Sequence, residues 1–64
     1  MSVTEILKQL QTNHAVYHNL VTDYTALQLM EPNNQAIVSM KNTYQRKLIA
    51  LDQAMNALRS IENN

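Results

Sequence analysis

Apolar residues in this chain fall into two runs of helical period, separated by four residues that interrupt a helix. In the first run Val3, Ile6, Leu7, Leu10, Tyr17, Leu20, Val21, Tyr24 and Leu27 recur at separations of three, four and seven, which places them on one stripe of a helix. Written as heptads, Val3, Leu10, Tyr17 and Tyr24 take position a, and Ile6, Leu20 and Leu27 take position d. Asn13 at d, with His14 beside it, interrupts the stripe. A polar seam residue costs stability but fixes register. In the second run Ile37, Tyr44, Leu51 and Leu58 are spaced by seven throughout. Leu48 and Met55 flank that row on one side, Met40, Ala54 and Ile61 on the other. Ala36, Ala50 and Ala57 each stand one position before a main-row residue and make a small, smooth surface.

Between the runs lies Glu31-Pro32-Asn33-Asn34. Pro32 is the only proline, and the chain has no glycine. Proline removes a backbone donor and clashes with the preceding helical turn, and it pushes the residue before it out of the helical region. Asparagine tolerates left-handed angles and is a favoured N-cap. These signals predict one helix over about residues 3–30, a turn at 31–34 and a second helix over about 35–61. Ser2-Val3-Thr4-Glu5 reads as a capping box. Arg59 complements the dipole at the far end, and residues 60–64 are expected to fray. The fold class is therefore all-α, a single domain spanning 1–64: a two-helix antiparallel hairpin resembling a coiled coil. Folding at the turn sets Leu27 against Ile37, Tyr24 against Met40 or Tyr44, and Tyr17 or Leu20 against Leu48. Farther out, Leu10 meets Leu51 or Met55, and Val3 or Ile6 meets Leu58. The expected core is Leu10, Tyr17, Leu20, Tyr24, Leu27, Ile37, Tyr44, Leu48, Leu51, Met55 and Leu58.

Several apolar residues do not fit this seam. Leu29, Met30 and Val38 cluster with Pro32 at the hairpin tip, and Val16 and Ile49 are expected together farther along one side. These five are the candidate partner-binding residues. The need for a partner follows from size. A chain of 64 residues buries only about 60% of its unfolded surface, and small scaffolds are usually completed by disulfides, metals or other chains. No cysteine is present, so there is no disulfide, which fits a reducing compartment. Charged residues make up 16% of the chain, and Asn, Gln and Thr fill the remaining polar positions. Five basic residues balance five acidic ones, which disfavours a nucleic-acid partner held by clustered Lys and Arg. The first ten residues lack the basic start and apolar core of a signal peptide, and no run approaches a membrane span.

Candidate chemistry is thin. His14 and His18 share a helix face at i, i+4, a spacing that suits two metal ligands. A third ligand is missing: Glu5 is too far away and Asp23 is turned off that face. His14 is expected half-buried and His18 in solvent, and no metal is expected. Ser2, Ser39 and Ser60 have no histidine–carboxylate arrangement near them, and the absence of glycine excludes a glycine-rich phosphate loop. A two-helix hairpin has no concave pocket for catalysis, so neither catalytic nor cofactor-binding residues are assigned. Lys41, Arg46 and Lys47 are the one basic cluster. Lys41 and Arg46 project about 140° apart, so the cluster reads as a solvated flank.

The stretch Tyr44-Gln45-Arg46, Ala50-Leu51-Asp52, Ala54-Met55 resembles the second helix of the small co-chaperones of type III secretion needle subunits, the YscE/SsaE/EscE-like family. There an aromatic-Gln-Arg precedes Ala-Leu-acid and then Ala plus an aliphatic. The match covers about twelve residues, and the two-helix layout agrees over the chain. The resemblance implies a cytoplasmic protein of a secretion system. It pairs with a larger tetratricopeptide-like chaperone and keeps the needle subunit monomeric until export, with no catalytic residue. The turn departs from that family's glycine-containing one. Needle subunits themselves offer a second resemblance through Glu31-Pro32-Asn33-Asn34, although Gln35 stands where their second proline belongs. Self-assembly as a needle-type subunit or homodimeric four-helix bundle, or a small phage or regulatory protein-binding module, are the alternative readings.

Overall fold

The computed structural model describes residues 2–63. It contains two α-helices, α1 at Val3–Met30 and α2 at Gln35–Glu62, of 28 residues each. They fold back on each other as an antiparallel hairpin 48 Å long and about 15 Å across. The local signals act where the sequence puts them. The Ser2 hydroxyl accepts the Glu5 N–H at 3.1 Å. Glu31 leaves the helical region at φ −133°, and its N–H donates to the Leu27 carbonyl at 2.9 Å. The Asn34 N–H donates to the Glu31 carbonyl at 3.1 Å, closing a tight turn with Pro32 in its second position, where a fixed φ suits it. The Asn34 side chain then caps α2, accepting from the N–H groups of Ala36 and Ile37. No described residue takes a positive φ, so the tolerance of asparagine for left-handed angles is not used here.

The helix surfaces are unusually rich in threonine for so regular a pair. Thr12, Thr22, Thr25 and Thr43 each return the hydroxyl to the carbonyl four residues back, at 2.7–3.1 Å. Each hydroxyl is satisfied within its own helix, so these four threonines tie their own helices rather than bond across the hairpin. Fraying at the C-terminal end is not seen at Ser60 and Ile61, because α2 continues to Glu62 and the Asn63 N–H donates to the Arg59 carbonyl. Asn64 lies outside the described residues.

The seam between the helices differs in phase from the one expected. On α1 the residues turned inward are Val3, Leu7, Leu10, His14, Tyr17, Val21, Tyr24 and Gln28, with Ile6 and Leu20 half-buried beside them. Their steps alternate four and three without a break, the period of a coiled-coil seam. On α2 the matching row is Ile37, Lys41, Tyr44, Leu48, Leu51, Met55 and Leu58. Leu7, Ile37 and Met55 are buried, and Leu10, Tyr17, Leu20, Tyr24, Tyr44, Leu48, Leu51 and Leu58 are half-buried. Tyr44 stacks obliquely on both Tyr17 and Tyr24, with ring centroids 5.8 and 5.6 Å away.

Three expectations are corrected by this phase. Leu27 is not a core residue but stands on a flank, 40% exposed, and Gln28 holds the seam place. Asn13 is exposed rather than interrupting the seam, which instead passes through His14. Lys41 is not on a solvated flank but half-buried between the helices. One physical reason covers all three. The polar seam residues have polar partners across the hairpin: His14 Nε2 lies 3.0 Å from Asp52 Oδ1, and Lys41 Nζ donates to Gln28 Oε1 at 3.0 Å. With those partners, His14, Gln28 and Lys41 can hold inward positions that an apolar-only reading gives to their neighbours.

The phase also gives the hairpin two unlike faces. One carries Leu20 and Leu27 of α1, with Val16 and Met30 farther out, beside Met40, Lys47, Ala54 and Ile61 of α2. Here it is termed the aliphatic face. A shallow groove lined by Asn13, Tyr17, Lys47, Ala50 and Leu51 runs along its middle. The opposite face carries Thr4, Gln11, His18 and Thr25 beside Gln45, Asp52 and Arg59, and is polar.

Candidate protein-binding surface

The hairpin is exposed for its size. Its accessible surface is 4669 Å², against about 4,200 Å² expected of a compact monomer of 7.3 kDa. Several aliphatic side chains contribute to that surface. Leu29 is 81% exposed, Met30 78%, Ile61 60%, Ile49 58% and Val16 52%. Of the five candidate binding residues, Val38 alone is half-buried.

The five do not form one patch. Val16 and Met30 stand on the outer edge of the aliphatic face. Leu29 and Ile49 occupy the outer edge of the polar face, and Val38 lies beside the seam on that same face. Leu29, Met30 and Val38 still share the tip end of the hairpin, because the turn brings the end of α1 next to the start of α2. Val16 and Ile49 are separated by the thickness of the hairpin. Missed at the sequence level was the continuity of the aliphatic face, where Leu20, Leu27, Met40 and Ile61 join Val16 and Met30. The signal was present: carrying the four-three alternation through His14 and Gln28 moves Leu27 and Met40 out of the seam.

Other candidate groups are placed as follows. His14 is half-buried and engaged with Asp52, and His18 is exposed. Among the described residues no three His, Asp or Glu side chains converge within reach of one metal ion. The shallow groove presents one amide, from Asn13, and one ammonium, from Lys47, and the ammonium sits 5.7 Å from the Tyr17 ring centroid. It lines up no nucleophile with a base. Of the basic cluster, Lys41 is in the seam, Lys47 lies over Tyr17 and Arg46 is in solvent. No described helix is long and apolar enough to cross a membrane. What the surface offers chemically is uncovered aliphatic area on a rigid pair of helices, the kind of feature that marks a protein contact.

Comparison of the chain with known protein families, with curated proteins and with solved structures returns no match.

Proposed function

We infer that this chain is a non-enzymatic, protein-binding hairpin. In its sharper form, it is a cytoplasmic type III secretion co-chaperone that heterodimerises with a larger helical-repeat chaperone to keep a needle subunit monomeric before export. The sharper form rests on the Tyr44–Met55 resemblance. The observation that carries the broader reading is the tip, where Leu29 and Met30 stand almost fully exposed next to Val38. An exposed aliphatic pair on an ordered helix end, uncovered by the other described residues, is a natural anchor for a concave helical-repeat surface.

The test is co-purification of the full chain with a tetratricopeptide-like chaperone and its needle subunit, comparing wild type with Leu29→Asp and Ile49→Asp. Both positions face solvent, so helicity by circular dichroism should stay within a few per cent of wild type. Capture by the chaperone is expected to drop at least about tenfold for Leu29→Asp, as befits a hot-spot residue. Undiminished capture would remove the tip from the binding surface. Failure of the wild type to bind any such chaperone would remove the co-chaperone form of the reading.

A further inference from the structure

We propose that the aliphatic face is the interface for a second copy of this chain, packed so that α1 of one copy lies along α2 of the other in a two-fold antiparallel four-helix bundle. The proposal does not rest on the co-chaperone reading, whose tested positions, Leu29 and Ile49, stand on the outer edge of the opposite face.

Three features of the face identify a second copy as its occupant. The first is shape. The cross-hairpin contacts His14–Asp52 and Gln28–Lys41 set Val16 of α1 level with Ala50 of α2, and Met30 level with Ala36. Within one hairpin these large and small side chains stand on opposite outer edges of the face and cannot interdigitate. A two-fold axis along the length of the hairpin lays Val16 and Met30 of each copy beside Ala50 and Ala36 of the other, at unchanged height. Along the middle of the face the same axis sets Leu27 on Met40 and Leu20 on the aliphatic stem of Lys47. Large-into-small packing of this kind is how facing helices reach interior density.

The second feature is charge. Among the described residues Asp23 and Lys47 are the charged side chains of this face, and they have opposite signs. Asp23 stands on α1, one turn from the level of Lys47 on α2. That axial offset is about 4.5 Å at the rise of an α-helix, within reach of a lysine side chain. Two-fold symmetry brings Asp23 of each copy beside the partner's Lys47, so the contact is made twice, as an isologous interface requires. Lys47 extends over its own Tyr17 ring and keeps N–H donors for the incoming carboxylate.

The third feature is area. A face 48 Å long and 15 Å wide covers about 700 Å², close to the roughly 800 Å² per partner of a standard stable interface.

The test uses the full chain, with light scattering after size-exclusion chromatography for mass and circular dichroism for helicity. Wild type is expected at twice the chain mass and strongly helical. Ala50→Glu combined with Ala57→Glu places good helix formers at exposed positions, so the hairpin tolerates them while the face does not. That variant is expected at the monomer mass. Asp23→Lys creates two like-charge contacts and is expected to weaken the dimer at least about tenfold. Adding Lys47→Asp to it should restore the dimer. A well-folded wild-type monomer across the accessible concentration range would overturn the proposal, as would an Ala50→Glu/Ala57→Glu variant that remains dimeric. Leu29→Asp separates the two ideas, because it should abolish capture by a heterologous chaperone and leave the dimer mass unchanged.

Discussion

His14 stands near the middle of the seam, where a leucine would give more buried apolar area. Its Nε2 reaches Asp52, so the position is polar but satisfied. A polar residue at one seam position costs stability and in return specifies alignment. His14→Leu is therefore expected to raise stability in urea by about 1 kcal/mol. Asp52 is largely exposed, so Asp52→Ala alone should cost only about 0.5 kcal/mol. That cost should vanish in the His14→Leu background, which a double-mutant cycle measures directly. An Asp52→Ala effect that persists without His14 would mean the carboxylate acts elsewhere. Lys41 and Gln28 make a similar contact nearer the tip. The two polar ties stand fourteen residues apart along α1, about 21 Å at helical rise, and together they resist sliding of one helix along the other.

At the scale of the element, each helix is held by its ends and by a few inward side chains. Asn34 satisfies two otherwise unpaired N–H groups of α2. Asn34→Ala should destabilise the hairpin by about 1 kcal/mol, and Asn34→Asp by much less, because a carboxylate caps the same groups. Thermal melts of the two variants would show the difference, and equal losses would mean that the turn rather than the cap is the sensitive feature. Inward residues should behave differently from outward ones on the same helix. Met55 is buried and Ile49 is not. Met55→Ala is expected to cost about 2–4 kcal/mol through lost contacts and a cavity. Ile49→Ala should stay within about 0.5 kcal/mol. Comparable losses at both positions would place Ile49 in an interface already formed by the free chain.

For the molecule as a whole, the three buried side chains among the described residues are a small core for two helices of 28 residues each. Helices in proteins draw most of their stability from packing of an amphipathic face, and here one such face is left without cover among the described residues. If a second copy covers that face, folding and association are coupled, and the melting temperature must rise with protein concentration. Circular dichroism melts over a dilution series check this, and a concentration-independent midpoint would show the hairpin complete on its own. The net charge of zero leaves little long-range repulsion between copies.

The boundaries of both helices and the turn were legible in the sequence, because the signals that set them are local. Pro32 cannot continue a helix, Ser2 and Asn34 supply oxygen to free N–H groups, and apolar spacing by threes and fours needs no distant partner to be read. The inward-facing identity of most seam residues followed from the same spacing. The phase of the seam was decided by tertiary structure. Whether Gln28 or Leu27 points inward, and whether Lys41 is in solvent, depends on a partner in the other helix, and hydrophobicity along one strand of sequence does not contain that partner. The sidedness of the hairpin was settled at the same level. Val16 and Ile49 look alike in the sequence, yet only the packing of α1 on α2 puts them on opposite faces, one beside aliphatic neighbours and the other beside polar ones.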